Sequence, residues 1–100
     1  MASIQKKVEW TEEAKEDYRE MVSFLYDTWS EEHADRFAEA VEAMTQLLTT
    51  MPEYGTPSRK FSAIRRVLIR PYTALHYVIT RDAVVVFNLR DTRREDTGLF

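Results

Sequence analysis

The chain has 100 residues and a net charge of −3, with 44% hydrophobic and 31% charged residues. That length accommodates one domain with one modest core, and two glycines and three prolines exclude collagen-like and low-complexity classes. Cysteine is absent, which excludes disulfides, thiolate metal ligands and cysteine nucleophiles, and no apolar run reaches the roughly 18 residues of a membrane span.

The N-terminal MASIQKKVEW holds no apolar stretch of signal-peptide length, so a cytoplasmic domain is expected. Residues 3–10 read as a short strand: Ile4, Val8 and Trp10 share one side under period-two alternation. Thr11 then suits a helix N-cap, with Glu12 and Glu13 in the first turn where the helix dipole favours acids. Ala14, Tyr18, Met21, Val22, Leu25 and Trp29 follow the rhythm of one helical face, so a helix is predicted over 11–29. Ser30, Glu31 and Glu32 repeat the start signal. Ala34, Phe37, Ala38, Val41, Met44, Leu48 and Met51 then mark a second amphipathic helix over 31–51. The break between the helices rests on Ser30, and an αα-hairpin is expected rather than one kinked helix.

Pro52 ends the second helix, having no N–H to donate. The stretch 52–60 is turn-rich and reads as a loop. IRRVLIR, TALHYVIT and AVVVFNL follow, short and rich in β-branched residues, and read as three strands of an antiparallel meander. The tail from about 92 to 100 lacks periodicity and reads as irregular. The expected fold is a single α+β domain of order β-α-α-β-β-β, with a two-helix hairpin on one face of a small, mostly antiparallel sheet. The other sheet face is expected to be uncovered, and what projects there to be exposed.

Charge is split along the chain. Residues 1–57 carry 5 Lys/Arg and 13 Asp/Glu, whereas residues 58–100 carry 9 and 4. Either the basic half serves a partner, or acidic helices and a basic sheet neutralise each other within the fold. Alternation puts Val67 and Ile69 on one side of their strand, and Arg66, Leu68 and Arg70 on the other. Arg90, Arg93 and Arg94 follow the last strand, and Arg59 and Lys60 precede the second. Arginine suits bidentate phosphate or carboxylate contacts, so the basic cluster suggests a nucleic-acid backbone or an acidic protein partner. Arginine on a solvated strand face also serves simply to prevent aggregation.

Catalytic signals are thin. His33, among Glu31, Glu32 and Asp35, reads as a surface residue, and His76, mid-strand, reads as packed or as a general base. No third imidazole completes a metal site, and no glycine loop cradles phosphate, so neither metal nor cofactor is expected. Tyr18 and Tyr26 fit helix faces as structural residues. Glu9 and Asp91 are single carboxylates near strand ends.

VEWTEEAKEDYREMVSFLYDTW, LLTTMPEYG, RRVLIRPYTALHYVI and VVVFNLRDTRRED occur in that order. This succession resembles the RelE/ParE superfamily of small bacterial toxins from type II toxin–antitoxin modules, often labelled plasmid stabilisation proteins, across roughly residues 4–96. The P-x-x-G after the second helix, the Pro-Tyr entering the third strand and the final Arg-Arg carry most of it. The resemblance implies the β-α-α-β-β-β fold, and neutralisation by a cognate antitoxin whose C-terminal segment wraps over the toxin. It leaves open a homodimer or a toxin–antitoxin hetero-oligomer.

The superfamily holds two activities. RelE-like members are ribosome-dependent endoribonucleases that cut mRNA; ParE-like members inhibit DNA gyrase. RelE-like sequences carry an Arg after the Tyr that opens the third strand, where Thr73 follows Tyr72 here. They also carry a Tyr or His after the last strand, where this chain reads Arg90-Asp91-Thr92-Arg93-Arg94. Arg93 or Arg94 matches the family's late arginine. The pattern is closer to the ParE branch, so the resemblance implies gyrase inhibition. Ribosome-dependent mRNA cleavage is the alternative, with an inactive antitoxin-binding homologue as the third. Were the chain a nuclease, His76 would be the base, with Arg93 or Arg94 stabilising charge. Target or antitoxin contacts are expected at Arg66, Arg70, Arg90, Arg93 and Arg94.

Overall fold

The structure, a computed structural model, describes residues 5–93. Strand β1 (Lys7–Trp10) leads into helices α1 (Glu12–Thr28) and α2 (Glu31–Thr50). A 3-10 turn (Pro52–Tyr54), β2 (Thr56–Pro57), β3 (Ile64–Ile69), β4 (Thr73–Ile79) and β5 (Ala83–Asp91) complete the chain order. The sheet order is β1-β5-β4-β3-β2, with β1 parallel to β5 and the other pairs antiparallel. The expected α+β hairpin-on-sheet architecture is therefore present. The first strand is shorter than predicted, starting at Lys7, and Ile4 lies outside the described residues. Strand β2 and the 3-10 turn fall within the stretch read as loop.

Local chemistry accounts for the helix boundaries. The Thr11 side chain accepts from Ala14 N at 3.1 Å, and Ser30 Oγ accepts from His33 N at 3.2 Å, so each helix has a hydroxyl N-cap. Trp29 and Ser30 both donate backbone N–H groups to Leu25 O, closing α1 before Ser30 opens α2. The hairpin lies on one sheet face, where Ala14, Phe37, Val41 and Leu48 meet Val67, Leu75, Tyr77, Val84, Val86 and Leu89 in one core.

The P-x-x-G segment is held by this core. Tyr77 Oη donates to Pro52 O at 2.6 Å and accepts from Gly55 N at 2.9 Å. Arg65 donates to Glu53 O and Gly55 O at 3.0 and 2.7 Å. A Cβ on Gly55 would stand 2.6 Å from Tyr77 Oη and 2.7 Å from Arg66 O, so glycine is required there by space.

The outer sheet face differs from expectation. Ala74, His76 and Asn88 lie on it yet are buried, His76 with only 2% of its surface accessible. They occupy the central strands, flanked on both sides. A bulge at Phe87 contributes: His76 pairs with Asn88 and Tyr77 with Val86, leaving Phe87 without a partner. The extra residue turns Asn88 outward beside His76 and brings the Phe87 ring to 6.1 Å from the imidazole.

A candidate partner-binding groove

Helix α2, with 20 residues, spans about 30 Å, while β3, with 6, spans about 20 Å. Strand β5, with 9 residues, also spans about 30 Å, so the hairpin overhangs the sheet through where it is anchored and not by length alone. Its base is anchored where Thr11 N and Oγ1 donate to Val86 O and Phe87 O. Further along, Asp17 accepts from Leu89 N at 3.1 Å. The end of α1 and the start of α2 extend past the β3–β4 turn and the end of β5. The apolar stripe continues into this overhang with no sheet beneath it. Trp29, expected in the core, is 64% exposed, and Phe24 is 55% exposed.

The result is a groove of about 930 Å³. Met21, Phe24, Leu25 and Trp29 form one wall, Phe37 and Ala40 the second, and Pro71, Tyr72 and Leu89 the third. Tyr72, 47% exposed, is presented by the β3–β4 turn, which contains a cis Arg70–Pro71 peptide. The Pro-Tyr motif thus builds a groove wall.

Charged residues rim this apolar floor. Arg90 belongs to β5 rather than to a following segment. Because β1 stops at Trp10, the Arg90 guanidinium can turn past the strand edge toward α1, where it meets Asp17 at 2.9 Å and Glu13 at 3.0 Å. Arg93 forms a two-point ion pair with Asp91, at 2.9 and 3.2 Å, and its Cζ lies 4.3 Å from the Tyr72 ring centroid. The hydrogen bond to Asp91 raises the Arg93 pKa above its ordinary value, and the two-point contact holds the cation over the aromatic face. Arg70 and Arg36 also line the groove and form no ion pair among the described residues. His33 is exposed at the rim, with Nδ1 2.8 Å from Ser30 Oγ and its ring 5.4 Å from Trp29.

Of the expected contact residues, the structure gathers Arg70, Arg90 and Arg93 at the groove. Arg66 lies on the outer sheet face opposite His76, and Arg94 lies outside the described residues. His76 does not line the groove. Its Nδ1–H donates to Asn88 Oδ1 at 2.7 Å. Burial, reinforced by Arg66 and Arg90, pushes its pKa below the ordinary histidine value against the Asn88 bond. Glu9 and Asp91 do have partners, Lys7 and Arg93. Among the described residues no cluster of three His, Asp or Glu could hold a metal ion, and no helix is long and apolar enough to cross a membrane.

Sequence periodicity assigns Phe24's neighbours and Trp29 to the core and does not single out Arg36; Tyr26, read there as structural, is 56% exposed and does not line the groove.

A family profile described as the ParE toxin of type II toxin–antitoxin systems, parDE, matches residues 8–96. A solved structure titled as the chromosomal ParDE toxin–antitoxin system from P. aeruginosa superposes with a TM-score of 0.73 at 11% identity, covering 89% of this chain and 98% of that one. The solution structure of a conserved hypothetical protein from Helicobacter pylori superposes with a TM-score of 0.51 at 12% identity, covering 89% and 97%. At these identities the structures establish the shared fold. No curated protein sequence matches significantly.

Proposed function

The chain belongs to the ParE toxin family of type II toxin–antitoxin systems, and on that premise we propose that it acts by binding and inhibiting DNA gyrase and is neutralised by a cognate antitoxin seated in the groove. The groove carries the antitoxin half of this reading. Its floor is apolar and aromatic and its rim offers arginines, the chemistry that receives an amphipathic helix. Phe24 and Trp29 are too exposed to stabilise the isolated fold, and burying such aromatic anchors drives association. Acidic residues on the antitoxin would meet Arg36 and Arg70, speeding encounter and fixing register.

The gyrase half rests on the family, and two features of the chain favour it over mRNA cleavage. A general base must reach its proton within hydrogen-bond distance. His76 is buried, bonded to Asn88 and away from the groove that Arg93 rims. The other histidine, His33, does reach the groove rim, but from the acidic first turn of α2, with Nδ1 2.8 Å from Ser30 Oγ and its ring against Trp29.

Purified protein should inhibit gyrase supercoiling, and added antitoxin should relieve the inhibition. It should leave ribosome-bound mRNA intact. Cleavage of that mRNA, lost in a folded His76→Ala variant, would replace this reading with the nuclease one.

A further inference from the structure

We propose that the end of the sheet remote from the groove is a second interaction surface, one that contacts the phosphate backbone of a nucleic acid. The register places three segments at this end. Residue Lys7 of β1 pairs with Ala83, Ile79 of β4 with Val84, and Ile64 of β3 with Val78. The start of β1, the β4–β5 turn and the β2–β3 loop therefore lie side by side across the sheet, about 19 Å from edge to edge at the usual strand spacing. They present Lys6, Arg81, Arg59 and Lys60 in that spatial order, opposite to the end where Tyr72 and Arg93 frame the groove.

The sequence before them is depleted of acid, and the one carboxylate carried by these turns is the exposed Asp82, next to Arg81. Between Glu53 and Asp82 there is no Asp or Glu and there are six Lys or Arg. Arg65, one of these, is turned inward to carbonyls of the 3-10 segment. Arg59, Lys60 and Arg81 are exposed, and their side chains form no ion pair among the described residues. Lys6 Nζ is held by Thr80 O and Arg81 O at 3.0 and 2.7 Å, which fixes its position while leaving its charge uncompensated by a carboxylate.

The loop that carries Arg59 and Lys60 is ordered. The buried Ser58 Oγ accepts from Lys60 N and Phe61 N, both at 3.0 Å, Ser58 N donates to Ile64 O at 2.8 Å, and Ile64 N donates to Phe61 O at 2.9 Å. Both cations are thus presented from a fixed backbone, with Phe61 half exposed beside them. Protection of the sheet edge does not account for these charges, since β2 is two residues long and contains Pro57, which already blunts the edge. Neutralisation of the acidic hairpin does not account for them either, as none pairs with a helix carboxylate.

With Lys6 Nζ held at the β4–β5 turn, the cations run from that turn to the β2–β3 loop, about two strand spacings or 10 Å, which matches about three phosphates along one strand of duplex DNA. A protein surface would need a larger dehydrated apolar centre than Phe61 supplies in this loop. The surface is independent of the gyrase reading, and a failure here would leave that reading standing, because DNA binding is measured without gyrase.

The test is fluorescence anisotropy of the full chain with a labelled 25-base-pair duplex, titrated from about 50 to 200 mM salt, with polyglutamate as the competing acidic polymer. Three or four phosphate contacts predict a log–log salt slope of about −3. The triple variant R59A/K60A/R81A should flatten that slope by two to three and weaken binding at least tenfold, while its thermal melt stays unchanged. Trp29→Ala should bind DNA as the parent does. The proposal is overturned by absence of duplex binding at 50 mM salt, by unchanged binding in the folded triple variant, or by loss of binding in Trp29→Ala. Capture of polyglutamate without duplex also overturns it, assigning the surface to an acidic polypeptide instead.

Discussion

At His76 the imidazole stays neutral because burial, Arg66 on β3 and Arg90 on β5 all oppose a second proton, outweighing the bond to Asn88. The unfolded chain has no such bias, and its imidazole titrates near the ordinary value of about 6.5. The folded pKa lies below the unfolded one. Stability from this group is therefore complete above about pH 6.5, and it falls as pH drops below that toward the depressed folded value, by at most about 1.4 kcal/mol per pH unit. Urea melts at pH 7.5 and 5.5 should show this loss. His76→Gln should be less stable at pH 7.5 by about 1–3 kcal/mol, through the disturbed buried hydrogen bond, yet lose less on acidification. Equal pH dependence in the two proteins would remove His76 as the titrating group. From the sequence, a mid-strand histidine could be assigned to a strand but not to an environment. Its burial depends on the Phe87 bulge, which shifts Asn88 to the outer face and Leu89 to the core face; strict alternation from Val84 and Val86 gives the reverse.

At the scale of elements, both helices, their caps and the three-strand meander follow from the local pattern. Thr11 and Ser30 cap where a hydroxyl precedes paired glutamates, and β-branched runs pair where turns separate them. Strand β2 escapes such reading because a two-residue strand has no period; it forms where Tyr77 and Arg65 fix the preceding segment. The placement of Arg90 also escapes, since it depends on where β1 stops. Beyond Trp10, β5 loses its neighbour, and Asp17 takes over by accepting from Leu89 N and from the Arg90 guanidinium. Asp17 thus substitutes for a missing strand and ties α1 to the sheet. Asp17→Ala leaves a partly buried amide without its acceptor and the Arg90 guanidinium with only Glu13 and Leu89 O, and should cost about 1–3 kcal/mol in chemical denaturation. Glu13 reaches the same arginine from a more exposed position, and Glu13→Ala should cost under about 1 kcal/mol. Similar losses in the two variants would mean that the ion pairs, and not the amide cap, hold α1 in place.

Across the whole molecule, the turn end of the helical hairpin stands beside the β3–β4 turn and the end of β5, and its apolar stripe there defines the groove. The hairpin is also strongly acidic, while cations concentrate on the sheet and its turns. An acidic partner approaching the groove is repelled by Glu20 on one wall, where Asp17 is already paired with Arg90, and attracted by Arg36 and Arg70 on the others. A bound helix would therefore orient with its carboxylates toward the β3–β4 turn and its apolar side on Phe24 and Trp29. Phe24→Ala and Trp29→Ala remove exposed side chains, so the melting temperature of the free protein should change little. Each should weaken antitoxin binding by about 2 kcal/mol or more, roughly thirtyfold, if these aromatics anchor the partner. Arg70→Ala should act differently, slowing association most at low salt and converging on the parent at high salt, as expected for a rim charge. Calorimetry of the complex and stopped-flow mixing at two salt concentrations separate the two effects. Parent-like affinity in both aromatic variants would move the antitoxin off the groove and leave the overhang of the hairpin without a role in the complex.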